Sequence, residues 1–106
     1  MIKASVMYPY APGARFDHAY YRETHMPLVK RRMGESCRYY SIDKGLAGGS
    51  PDTAPTYLGM SHIFCDSVEA FQNGFGPHAA ELLEDLRNFT DIAPVIQISE
   101  VLVERG

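Results

Sequence analysis

The segment VIQISEVLV, from Val95 to Val103, reads as a strand that is apolar on both faces. Strand side chains alternate, so Val95, Val101 and Val103 point one way while Ile96, Ile98 and Leu102 point the other. A sheet with one face in water should alternate apolar with polar residues, and this segment does not. Any fold of this chain must therefore cover both faces of the sheet that holds it.

The rest of the chain supplies cover for one face. IKASVMY alternates, with Ile2, Ala4, Val6 and Tyr8 on one side and Lys3, Ser5 and Met7 on the other, which predicts a first strand. The turn PYAPGA follows, and Asp17 is placed to cap a helix, with Phe16 packing back as a staple. Asp17, Tyr20, Tyr21, Thr24 and Leu28 share one stripe at helical spacing, His25 borders it, and Gly34 closes the helix after Met33. Pro27 lacks the N–H that the Glu23 carbonyl would accept from, so a kink is expected beside His25. CRYYSIDKG has strand composition, and LAGGSPDTAPT is a loop, with Gly48–Pro51 as a stretch able to lie over a ligand. YLGMSHIF is a third strand with Leu58, Met60, His62 and Phe64 on one face. Asp66 and Glu69 form a capping-box pattern for a second helix. Its apolar stripe is Val68, Phe71, Phe75, Ala79, Leu82, Leu83 and Leu86, and Gly76-Pro77 breaks it into a kink or two pieces.

The order β-α-β-β-α-β is that of a ferredoxin-like α+β subunit, a single domain over residues 1–106 in which two helices cover one face of a four-stranded antiparallel sheet. The cheapest cover for the second face is another copy across a two-fold axis, which predicts a homodimer through the open sheet face.

Net charge is −3, from 10 Lys and Arg against 13 Asp and Glu, too little positive field for nucleic acid. No stretch approaches the apolar length of a membrane span, and the N-terminus lacks a signal pattern, so the chain reads as cytoplasmic. Cys37 and Cys65 follow no metal or redox spacing and read as free thiols. No zinc-site spacing, nucleophile elbow, phosphate loop or dinucleotide fingerprint is present.

GARFDHAYYRETHMPLV, GLAGGSP, FCDSVEAFQNGF and NFTDIAPVIQISEV together resemble the EthD family, in order and over almost the whole chain. The resemblance implies a dimeric α+β barrel, with two sheets facing each other and helices outside. The wider superfamily includes cofactor-free monooxygenases, isomerases, polyketide cyclases and haem proteins. The founding EthD protein is associated with a cytochrome P450 system that degrades ethyl tert-butyl ether.

His25 matches the histidine of the family pattern and titrates near neutrality, so it is the candidate acid/base. Tyr21, one turn earlier, is its candidate partner for orienting it or stabilising an oxyanion, and Asp17 lies a further turn back. Tyr20, Met60, His62, Phe64 and Phe71 are candidate ligand-contacting residues. His62 also reads as a satisfied core histidine, and His78 as a surface residue at a helix break. The expected function is cofactor-independent proton-transfer, oxygenase or cyclase chemistry on a small hydrophobic or aromatic metabolite. The alternatives are a non-enzymatic ligand-binding or accessory protein of an oxidative pathway, and a haem-binding barrel.

Overall fold

The computed structural model describes all residues, Met1–Gly106. Four strands, β1 (Ile2–Pro9), β2 (Tyr39–Lys44), β3 (Tyr57–Cys65) and β4 (Val95–Glu100), form one antiparallel sheet in the order β2-β3-β1-β4. Between β1 and β2 runs α1 (His18–Tyr20), a π turn (Tyr21–His25) and α2 (Met26–Met33). Between β3 and β4 runs α3 (Val68–Phe75), a 3-10 turn (Gly76–His78), α4 (Ala79–Glu84) and a second 3-10 turn (Asp85–Asn88). This is the expected ferredoxin-like α+β order.

Local chemistry accounts for most boundaries. The Asp17 carboxylate accepts from the Tyr20 N–H at 3.1 Å and starts the first helical run. Phe16 packs on Tyr21 with ring centres 5.2 Å apart, as a staple should. Gly34 ends the run at φ +60°, a conformation that glycine adopts without strain. The second run is capped by Ser67, whose Oγ accepts from Ala70 N–H at 3.0 Å, and not by Asp66, whose carboxylate pairs with Arg38. Gly76-Pro77 splits that run into two pieces, as its sequence requires. The last strand ends at Glu100, short of the Val103 expected, so Val101–Val103 lie outside the sheet.

The inner face of the first helical run differs from the expected stripe, and the π turn explains the difference. Met26 N–H bonds to the Tyr21 carbonyl, five residues back, just ahead of Pro27. A π turn inserts one extra residue, so every later position on the inner face moves along by one. Thr24 is thereby exposed and His25 buried, and the buried residues are Tyr21, His25, Met26, Val29 and Met33. The irregularity expected at Pro27 is this widened turn, and it carries His25 from the border of the stripe to its centre.

The core fills the space between sheet and helices. It contains Ala4 and Tyr8 of β1, Ile63 and Cys65 of β3, Met26, Val29 and Met33 of α2, Phe71 of α3, Leu82 of α4, and Phe89. Val68 and Leu83, both on the expected second stripe, are exposed. Cys37 and Cys65 are buried and unbridged. No helix is long and apolar enough to cross a membrane. The opposite sheet face carries Lys3, Ser5 and Met7 from β1, Met60, His62 and Phe64 from β3, and Tyr39 from β2, and no helix covers it.

Candidate functional site

The π turn presents His25 to the space between sheet and helices, where the residue is 5% exposed. Nδ1 lies 2.8 Å from Oδ2 of Asp85, a residue 60 positions away at the start of the last 3-10 turn. The other oxygen of that carboxylate accepts from Tyr20 Oη at 2.7 Å and from Asn88 Nδ2 at 2.9 Å. Asn88 reaches it because residues three apart eclipse on a 3-10 turn. The Asp85 carboxylate is thus fixed by three donors, and it in turn fixes the imidazole.

Electrostatics assigns the proton. Burial works against ionisation of Asp85, but the hydrogen bonds from His25, Asn88 and Tyr20 outweigh it and hold the carboxyl below its ordinary range. Burial is also the largest influence on His25 and lowers its pKa, while Asp85 recovers part of the loss. At neutral pH the pair is therefore an anionic carboxylate and a neutral imidazole. An anionic carboxylate can only accept, so the single imidazole proton sits on Nδ1 and leaves Nε2 with a bare lone pair.

Nε2 has no hydrogen-bond partner in the chain, while no fully buried polar side-chain atom goes unpartnered. His25 also lines a cavity, so an Nε2 free of partners in the chain belongs to a residue at its wall. That cavity lies between the sheet and the helices and is bounded by 14 residues, 11 of them apolar and none of them Lys, Arg, Asp or Glu. Its walls include Val6, Tyr8, Met26, Val29, Ile63, Leu82 and Leu86, and the exposed Leu83 and Ile96 stand among them. Its free volume is about 30 Å³, room for roughly two or three waters at 10–15 Å³ each. The Tyr21 ring stacks on His25 at 5.6 Å and 14°, and its hydroxyl donates to Ser61 Oγ at 2.6 Å. Burial pushes the Tyr21 phenol up to about 12, so it stays neutral.

Of the residues singled out in the sequence, His25 and Tyr21 meet at this cavity, and Tyr20 joins them through Asp85. Asp17 is the helix cap, and the hydrogen-bond partner of the imidazole is Asp85 instead. Phe71 is buried in the core, stacked on Phe75 at 5.2 Å. Met60, His62 and Phe64 project from the opposite face of the sheet, because Ser61 and Ile63 of the same strand take the inner positions. His62 is satisfied there, with Nδ1 2.7 Å from Ser5 Oγ and Nε2 3.4 Å from the Asp43 carboxylate. His78 is half-buried at the helix break. Asp85, Ser61 and Tyr8 were not legible as site residues, because each meets the first helical run only through long-range packing. No three His, Cys, Asp or Glu side chains gather as a metal site would require.

A ferredoxin-like α+β subunit with a carboxylate-held histidine at an apolar cavity defines the class. The chain belongs to the EthD family: the EthD domain model matches residues 14–93. The crystal structure of an EthD-like protein from Ralstonia eutropha is 55% identical, with 99% of this chain and 95% of that one covered and a TM-score of 0.96. An ethyl tert-butyl ether degradation (EthD) family protein from Bacillus halodurans is 20% identical, covers 94% of this chain and 97% of its own, and has a TM-score of 0.68. HapK from Hahella chejuensis, at 12% identity, 100% and 96% coverage and a TM-score of 0.61, shares the fold. No curated protein matches the sequence.

Proposed function

We propose that this EthD family protein is an enzyme that moves a proton within a small, neutral, apolar substrate without a cofactor, with His25 as the general base. The observation that carries this reading is the His25–Asp85 pair, in which Nε2 has no partner in the chain and His25 lines an apolar cavity. His25 Nε2 takes a proton from an acidic C–H, and the electron pair passes to the adjacent carbonyl oxygen as an enolate. The imidazolium then returns the proton to another carbon of the same substrate, so atoms and charge balance as an isomerisation. Asp85 is a positioning residue: it holds the Nδ1–H tautomer and stabilises the imidazolium.

Absence of cationic lining residues supports a substrate with no carboxylate or phosphate inside the cavity. The apolar walls supply desolvation, and a few polar groups orient the ligand. A second copy on the open sheet face is part of the same reading. It is supported by the uncovered Met7, Met60 and Phe64 beside Tyr39 and Val95, which are 38% and 49% exposed.

The test uses acetone, a neutral ketone of four heavy atoms chosen for a cavity with room for about two or three waters, in D2O. Proton NMR follows exchange of its acidic C–H in the presence of the protein or of imidazole at equal concentration. The wild type is expected to exceed imidazole and His25→Gln to lose the excess. A wild type no faster than imidazole overturns the reading. Sedimentation of the wild type as a monomer at micromolar concentration overturns the dimer.

A further inference from the structure

The apolar run that opens at Val95 continues past the strand that uses it. β4 ends at Glu100, and Val101, Leu102 and Val103 follow outside the sheet. They are nevertheless held at both ends. Val101 N–H donates to the Met1 carbonyl at 3.0 Å, beside β1, and the Glu104 carboxylate accepts from the Tyr39 hydroxyl of β2. Because β2 and β4 are the two edges of the sheet, residues 101–104 form a strap that leaves one edge and heads across the open face toward the other. The Tyr39 ring is itself fixed by stacking on Phe64 at 4.4 Å. Between strap and sheet lies an open groove of about 310 Å³, bordered by Lys3 and Phe64 of the open face and by the strap. Leu102 is 84% and Val103 72% exposed. A tethered segment that leaves two aliphatic side chains in water has no apolar partner for them within its own subunit.

We propose that residues 101–104 clamp a second copy of this chain onto the open sheet face, with Leu102 and Val103 packing on the partner. This rests on the sheet-face dimer read above. Area argues for the clamp. The open face is four strands wide at about 4.8 Å each and roughly six residues long at about 3.3 Å each, roughly 400 Å² in outline. A stable interface takes about 800 Å² from each partner. The sheet alone falls well short, and the strap with its groove extends the same surface. Of the three large apolar residues exposed by more than 70%, two stand on the strap. Symmetry argues for a copy over an unlike protein. In a two-fold dimer each partner brings both an apolar strap and a groove, so the surfaces that need cover meet surfaces of the same kind. Charge allows it as well, because Lys3 borders the groove together with Glu100 and Glu104 and the contact holds both signs. An apolar pattern that outlasts its strand is thereby explained: Val95–Glu100 serve the sheet, and Leu102 and Val103 serve the contact between copies.

Sedimentation velocity over a concentration series reads the dimer dissociation constant of the wild type, Leu102→Asp/Val103→Asp, Tyr39→Phe and Met60→Asp. The wild type is expected to be dimeric at micromolar concentration. The double strap variant should weaken the dimer at least about a hundredfold, because each copy loses two apolar side chains from the contact. Tyr39→Phe removes the hydroxyl that holds Glu104 and keeps the ring, so it should weaken the dimer by less, about two- to tenfold. Met60→Asp, on the open face and outside the groove under the strap, should break the dimer too. A dimer that is unchanged by the strap substitutions but broken by Met60→Asp overturns the clamp and leaves the sheet-face dimer standing. A monomeric wild type, or a dimer that survives Met60→Asp, overturns both. Leu102 and Val103 lie outside the sheet and are exposed, so the far-UV circular dichroism of the double variant should match the wild type. Leu102→Ser/Val103→Ser adds no charge and should weaken the dimer in the same direction; a serine variant as tight as the wild type overturns the packing role.

Discussion

Replacing Asp85 by Asn changes one oxygen of a buried carboxylate into an NH2 group and leaves the volume unchanged. Two donors, Tyr20 Oη and Asn88 Nδ2, converge on Oδ1 at 2.7 and 2.9 Å, and one group, His25 Nδ1, meets Oδ2 at 2.8 Å. The amide settles with its oxygen toward the two donors, because the reverse would face both with an NH2. Its NH2 then points at His25 Nδ1, which must accept, and the imidazole proton moves to Nε2. The cavity loses its base while every side chain stays in place. The lost bond is charge-assisted and nearly dry, worth about 1.5–3 kcal/mol, and the His25 pKa should fall with it. Because Asp85 raises the His25 pKa, its removal moves it further down. Imidazole proton NMR against pH reads the shift, and nitrogen-15 NMR reads the tautomer. The melting temperature should drop on the order of 10 °C. An imidazole with the same titration and tautomer in both proteins refutes the reasoning, and the assignment of Nε2 as the base goes with it.

Other consequences follow from packing and linkage. Gly45→Ala would set a Cβ 2.0 Å from the Tyr57 carbonyl oxygen, which is backbone and cannot swing away. It should cost about 3 kcal/mol in urea unfolding, whereas Gly49→Ala, with nothing within 4 Å, should stay within about 0.5 kcal/mol. Leu82→Ala removes a side chain that is 1% exposed and lines the cavity. It should cost about 2–5 kcal/mol, and neutral nitrobenzene should bind to the enlarged space. Acid should weaken the fold in two stages. Burial lowers the folded-state pKa of His25, so the unfolded chain takes the proton first. Stability is then lost from about pH 6.5 downward and levels off below the folded value. Asp85, held low in the fold, adds a second loss beginning near about pH 4 and completed below its folded pKa. A urea midpoint that rises between about pH 7 and pH 5 would contradict this sign.

The fold was legible because each of its elements is written in local chemistry. Alternation in Ile2–Tyr8, the Asp17 cap, the Phe16 staple, Gly34 and the Gly76-Pro77 break all act within a few residues, and each is found where the sequence set it. Local signals failed where two of them competed. Asp66 and Ser67 both suit an N-cap; Ser67 holds it because Arg38 takes the Asp66 carboxylate, and that pair spans 28 positions. The strand after Val95 stops at Glu100 although its apolar pattern continues.

The candidate site was legible only by half, for a reason that lies in the first helix. A period of 3.6 places Thr24 inside and His25 at the edge, and only a π turn reverses the two. Pro27 signals that some irregularity is needed, but a kink, a break and a widened turn all answer a missing N–H. What selects the widened turn is the far side of the cavity. With His25 inside, its Nδ1 meets Asp85, its ring stacks on Tyr21 and its edge packs on Phe89 at 4.7 Å. In a regular helix centred on the expected stripe, Thr24 takes the inner position and His25 its border. The proline removes the cost of departing from the α-helix, and the partners 60 residues away supply the gain. The irregular turn and the positioned histidine are therefore one feature, and sequence spacing alone can show only its first half.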